Sequence, residues 1–195
     1  SDLEPNHSRP RTDVRKLPSY LQELGYEVAA FGKVAHYRQT PEYGFNVARH
    51  FEYHDDVAID AAIEWLEERQ SSQPLCLLVG TNWPHVPWPE DVSVVDMDSI
   101  RVPPNHVDTK LSRTWRAKYV AAIRMMDDEL GKVYDAARRK LGDDVFFLHS
   151  SDHGAQWPFG KWNLYDDGIR TPLIVSWPGN IAKGQRTAAV VSWID

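Results

Sequence analysis

Short apolar runs alternate along the chain with stretches in which apolar residues recur every three or four positions. Between Asp13 and Leu24, the leucines Leu17, Leu21 and Leu24 fall at i, i+4 and i+7, the spacing of a helix with one buried face. Pro18 suits the first turn of that helix, and Gly25 suits a cap just past its end. "YEVAAFGK" (26–33) then reads as a strand running into Gly32 and Lys33. Residues 58–69, "AIDAAIEWLEER", repeat the amphipathic helical pattern. "PLCLLVG" (74–80) gives a buried strand, followed by the turn-rich "TNWPHVPWPE". Residues 88–112 are rich in Pro, Asp and Val without a period, which predicts a long excursion over the surface. A long helix over about 115–141 ends near Gly142; strands at 145–149 and 172–177 follow, the second closed by the turn "PGN". Alternating helix and strand predict an α/β fold, with a mostly parallel sheet covered by helices on both faces. No internal repeat or low-complexity segment interrupts this pattern.

Three places share one local plan, an apolar strand with polar residues at its carboxyl end. "AAFGKVAHY" offers Lys33 and His36, "LLVGTNWPHVPW" offers His85 and Asn82, and "FFLHSSDHG…GKW" offers Asp152, His153 and Lys161. In a parallel sheet these ends lie along one edge, where ligands of open α/β sheets bind. Each residue also has an ordinary reading taken alone. Lys33 fits a solvated loop, His36 a surface histidine, His85 a rigid proline-bracketed loop stacked on Trp83 or Trp88, and Asp152 a turn cap. His7, His50, His54, His106 and His149 read as structural or exposed, and Glu67, Glu68, Asp127, Asp128 and Glu129 as solvated helix faces.

Taken together, the strand-end residues describe a specific chemistry. A carboxylate such as Asp152 suits a hard cation, Ca²⁺ or Mg²⁺. His153 beside it suits either a metal or an anion's oxygens. Lysines aimed at one point neutralise a tetrahedral anion and the charge that builds during its transfer. A histidine near neutral pKa protonates a leaving oxygen or nitrogen. This is a set for a sulfate or phosphate ester.

Composition narrows the setting. A net charge of −6 over 195 residues argues against a nucleic-acid surface, which would be basic, yet leaves room for a local cationic cluster. No apolar run is long enough to span a bilayer. The one cysteine, Cys76, sits inside a strand pattern, reads as a small core residue, and says nothing of the redox compartment. No signal-like segment opens the chain. The polar opening "SDLEPNHSRPRTD" and the apolar close "AAVVSWID" read as cut ends, so the chain is expected to be an internal piece of a larger catalytic domain.

These residues resemble the sulfatases of the alkaline-phosphatase superfamily. "LPSYLQELGYEVAAFGKVAHY" is similar to that family's helix, "L-x-x-x-GY", strand and Gly-Lys followed by His. "GTNWPHVPW" is similar to its Pro-His-x-Pro segment, and "SSDHG…GKWNLYDDGIRTPLIVSWPG" to its Asp-His/Asn-Gly, Gly-Lys and Pro-Leu-Ile segments in order. The Lys33-Val-Ala-His36 spacing is nearer the iduronate-2-sulfatase-like branch.

The resemblance implies that Asp152 coordinates Ca²⁺, less readily Mg²⁺, with His153 standing where many members carry an asparagine ligand. It also implies that Lys33 and Lys161 hold sulfate oxygens, that His36 assists the nucleophile, and that His85 contacts the sulfate or protonates the leaving group. The family's nucleophile is a formylglycine made from a Cys/Ser-x-Pro-x-Arg motif. That motif is missing here and is expected upstream, together with an Asp-Asp pair that completes the metal site; Ser8-Arg-Pro-Arg does not match its order. The implied substrate is a sulfated small molecule or glycan, and Trp83, Trp88, Trp157 and Trp162, near the motifs, are compatible with stacking on sugar rings. The implied compartment is periplasmic, secreted or lysosomal. A phosphodiesterase or phosphonate hydrolase on the same scaffold, and a non-catalytic anion-binding relative, stay open beside the sulfatase. Without the nucleophile segment the chain is expected to be inactive.

Overall fold

The structure is a computed structural model and describes residues 11–50 and 57–193. His7, Ser8 and His54 lie outside the described residues. Elements follow in the order α1 (Leu17–Glu23), β1 (Glu27–Gly32), a 3-10 turn (Tyr37–Tyr43), β2 (Val47–Arg49) and α2 (Val57–Glu68). Then come β3 (Leu75–Gly80), a short 3-10 turn (Met97–Ser99), α3 (Lys110–Leu141), β4 (Phe147–Ser150), α4 (Asp166–Ile169) and β5 (Leu173–Ser176).

The first sheet is parallel throughout, in the order β2-β1-β3. Central β1 is buried on both faces, as expected of a strand flanked on either side. Ala29 and Phe31 point to the side where α2 packs, against Ala62 and Trp65. Val28 and Ala30, alternating with them, are fully buried on the opposite side. Helix α3 lies on α2, with Ala136 and Ala137 letting the backbones approach around Leu66. The N-terminal half of α3 carries the 88–112 excursion, whose Val95 and Ile100 pack on Ala117 and Ala121. That helix begins five residues earlier than its periodicity predicts, because Thr109 and Ser112 form a reciprocal capping box at its start.

The described strands are mostly parallel, as expected, and β4 and β5 add a separate antiparallel pair. Two sequence expectations are corrected. Leu17 and Leu24 are exposed, because α1 has only seven residues and lays only Pro18 into buried contact beside β1. Cys76 is half-buried, since all six residues of β3 are partly accessible along a strand that, among the described residues, pairs with β1 alone. Burial nonetheless pushes its thiol pKa up, which disfavours the reactive thiolate.

A buried ion pair ties the start of β1 to the end of α2. The side chain of Arg69 is 6% exposed, and its Nε–H donates to Glu27 Oε2 at 2.7 Å. Its other nitrogens donate to the carbonyls of Ser71 and Gln73 at 2.7 and 2.6 Å, so each of the three guanidinium nitrogens makes a hydrogen bond. Glu27→Ala leaves that charge buried without its counter-ion and is expected to lower stability by about 3 kcal/mol in urea unfolding. A loss under about 1 kcal/mol would show that water already solvates Arg69.

Candidate active site

The carboxyl ends of β1, β3 and β4 face one cleft of about 1230 Å³, walled on one side by the middle of α3. Lys33, His36, His85, Asp152, His153 and Lys161 all line it, although they come from three separate stretches of the chain. Lys33 is delivered by a close approach of β1 and β3, where Gly32 pairs with Gly80 and the Lys33 N–H donates to the Gly80 carbonyl at 2.8 Å. The side chain is half-buried. Burial holds its pKa below the ordinary lysine value; the Lys161 charge adds to that lowering, while Asp152 opposes it.

His85 sits in a loop with cis bonds at Trp83–Pro84 and Val86–Pro87, and its N–H donates to the Asn82 carbonyl at 2.9 Å. Its Nδ1 lies 2.7 Å from the Val86 carbonyl, which only accepts, so Nδ1 carries the proton. In the neutral ring Nε2 then presents a lone pair, and the Lys161 ammonium donates to it at 3.1 Å. His153 is arranged in a similar way. Its Nδ1 donates to the Gly154 carbonyl at 2.8 Å, and its Nε2 faces Asp152 Oδ2 at 3.5 Å. The Asp152 side chain is 78% exposed. An exposed carboxylate beside an imidazole lone pair suits a cation, but among the described residues no group of three His, Cys, Asp or Glu side chains comes together to hold a metal. The pair offers two candidate donors side by side.

Residues in and around the cleft were read in part otherwise from sequence. His149 and Asp127 both line it, His149 half-buried where no context was read, and Asp127 exposed on α3 as expected. Burial lowers the His149 pKa, with the Asp127 charge opposing. The signals were periodic ones: His149 follows Phe147 by two positions on β4, and Asp127 falls within the stripe Ile123, Asp127, Leu130, Tyr134 of α3, all lining the cleft. Glu129 is 7% exposed, not solvated, and accepts a hydrogen bond from Thr81 at the end of β3. It belongs to the buried stripe of Ala122, Val133 and Ala136.

The tryptophans divide. Trp88 and Trp157 stack on each other at 4.8 Å, with Tyr119 at 5.2 Å from Trp88 and the Arg116 guanidinium 4.6 Å over Trp157. Both rings are thus engaged by protein groups. Trp162 is 82% exposed beside Lys161, whose Nζ lies 5.4 Å from its ring centre.

The family model described as Sulfatase matches residues 2–195. The chain belongs to the sulfatase family. An ulvan-active sulfatase of Formosa agariphila is 26% identical over 198 residues, covering 97% of this sulfatase chain and 38% of that protein. Human N-acetylgalactosamine-6-sulfatase is 29% identical over 99 residues, covering 44% of this chain and 19% of that protein. A solved 4S-sulfatase from work on glycosaminoglycan metabolism by Bacteroides thetaiotaomicron superposes with a TM-score of 0.73 at 20% identity, over 89% of this chain and 50% of that one. A structure in complex with its substrate D-glucosamine-2-N,6-O-disulfate superposes with a TM-score of 0.62 at 17% identity, over 85% of this chain and 56% of that one. These likenesses show the fold. The sulfatase chain spans well under two thirds of each of these proteins. None of its described helices is long and apolar enough to cross a membrane.

Proposed function

We propose that the protein hydrolyses sulfate esters or N-sulfates on a sulfated carbohydrate. The observation that carries this is the meeting of Lys33, Lys161 and His85 in one cleft, with Lys161 Nζ donating to the lone pair of His85 Nε2. Two ammonium groups aimed at a tetrahedral anion offset the charge that develops on its oxygens as the ester bond breaks. His85 is locked by Val86 in the tautomer that leaves Nε2 facing Lys161. The pair therefore shares one proton at Nε2, positioned for the departing oxygen or nitrogen. His36, at the entry to the Tyr37–Tyr43 turn, lies on the same cleft and would assist the nucleophile.

Asp152 and His153 would hold a divalent cation, Ca²⁺ by the hardness of the carboxylate, with further ligands contributed by residues upstream of Ser1. Bound there, the cation supplies positive charge against the sulfate. A formylglycine from a Cys/Ser-x-Pro-x-Arg motif, also placed upstream, would supply the nucleophilic oxygen. The sulfated-carbohydrate substrate is supported by the names of the relatives, an ulvan-active sulfatase and an N-acetylgalactosamine-6-sulfatase, and by the disulfated glucosamine in a structural neighbour. The exposed ring of Trp162 beside Lys161 fits a sugar face. A periplasmic, secreted or lysosomal setting accords with such a substrate.

Tandem mass spectrometry of the peptide upstream of Ser1 in the whole protein tests this. An aldehyde in a Cys/Ser-x-Pro-x-Arg peptide is expected. An unmodified Thr or Ser outside that motif would indicate phosphoryl or phosphonate chemistry, and no nucleophile would indicate an anion-binding relative.

A further inference from the structure

The proposed reaction depends on His85 keeping its ring turned towards Lys161, yet the loop that carries it makes no regular secondary structure. Among the contacts that hold that loop, three bear on its path. Trp88 Nε1–H donates to the Pro84 carbonyl at 2.8 Å, anchoring the far side in the aromatic cluster. The His85 N–H donates to the Asn82 carbonyl at 2.9 Å, closing the loop on itself. On the near side, the Trp83 N–H donates to Thr81 Oγ1 at 3.1 Å. A hydroxyl has one proton. With the Thr81 oxygen already accepting from Trp83, that proton is directed to Oε2 of Glu129, the buried carboxylate projecting from mid-α3.

We propose that Glu129 and Thr81 are positioning residues for His85: the carboxylate orients the Thr81 hydroxyl, the hydroxyl fixes Trp83, and the loop thereby presents His85 Nε2 to Lys161. The link is directional because the Thr81 hydroxyl has one proton to give. Glu129 accepts, Thr81 donates to it while accepting from Trp83, and the next residues are prolines and His85. Burial strengthens the arrangement, since hydrogen bonds to a carboxylate are stronger in a low dielectric. A buried glutamate so placed is an expensive choice for a helix face that alanine and valine otherwise fill. This inference rests on the proposed role of His85 and adds the device that orients it.

Ring-nitrogen NMR of His85, together with titration by inorganic sulfate, tests the link without requiring turnover. Thr81→Val keeps the volume and removes the hydroxyl. It is expected to shift the His85 Nε2 resonance away from its lysine-bonded position and to weaken sulfate binding about tenfold, the scale of a small misplacement of a binding group. Thr81→Ser is expected to restore both. Glu129→Gln retains an acceptor oxygen, so it secures the measurement if Thr81→Val folds poorly, and its effect on His85 is expected to be smaller in the same direction. In the double variant Glu129→Gln adds nothing to Thr81→Val, because the hydroxyl that couples them is gone. Unchanged His85 resonances in folded Thr81→Val, or equal and additive effects of the two substitutions, would overturn the proposal. If the unsubstituted chain binds no sulfate, the anion-site reading fails, while the His85 resonances still decide the positioning link.

Discussion

Lys33→Met is expected to weaken binding of inorganic sulfate by about ten- to a hundredfold, the range of one charge-assisted hydrogen bond of about 1.5–3 kcal/mol. The same substitution is expected to leave the melting temperature unchanged or raise it. These opposite signs follow from one observation, the half-buried ammonium whose pKa is lowered chiefly by burial and further by Lys161. Between the depressed pKa and the ordinary lysine value the unfolded chain binds more protons than the folded one, so stability rises with pH across that window, and below it the cost of the buried charge is constant. Methionine removes this penalty while keeping the apolar stem. For the anion the sign reverses: sulfate favours the charged lysine, so binding takes up a proton once the pH exceeds the depressed pKa, and affinity falls as pH rises through that value. Calorimetry in buffers of different ionisation heat reads the proton uptake directly, and Lys33→Met is expected to abolish it. An unchanged affinity and an unchanged proton count would show that Lys33 faces away from the anion.

How much of this was legible in the sequence depends on the distance over which each signal acts. Strands β1 and β3, helices α2 and α3 and the strand-end location of Lys33, His85 and Asp152 all follow from local periodicity and from where each apolar run stops. What escaped was decided by neighbours distant in sequence. The run 172–177 has a strand's composition, but nothing local states that β5 would lie antiparallel on β4. Glu129 sits beside Asp127 and Asp128, and three consecutive acids read as a wet face. Only the arrival of Thr81, 48 positions earlier, shows that one of them turns inward. Trp88 and Trp157 were legible as large rings near the site but not as partners of each other. Leu17 and Leu24 had the right spacing for burial, yet a two-turn helix beside one strand hides only the residues on that side. Periodicity identifies a face and tertiary contact decides whether it is covered.

Gly80→Ala is expected to cost about 3 kcal/mol in stability and, unlike Lys33→Met, to lose sulfate binding as well. A Cβ at position 80 would stand 2.1 Å from the Lys33 carbonyl oxygen, 2.2 Å from its carbon and 2.8 Å from the Val34 nitrogen. All three are backbone atoms, so no side chain can swing aside. The approach is reciprocal: a Cβ on Gly32, which sits at φ +70°, would meet the Gly80 carbonyl oxygen at 2.2 Å. Relief therefore requires β1 and β3 to part at their carboxyl ends, breaking the 2.8 Å hydrogen bond from the Lys33 N–H and moving the ammonium off the cleft. Gly131→Ala in α3 is the control. Nothing lies within 4 Å of a Cβ there, so the same added methyl is expected to be neutral or to stabilise by up to about 1 kcal/mol through helix propensity. Thermal denaturation with and without sulfate separates the cases. A Gly80→Ala protein that melts normally and binds sulfate normally would mean that the strand junction yields without displacing Lys33, and that the ammonium is placed by its own side-chain contacts instead.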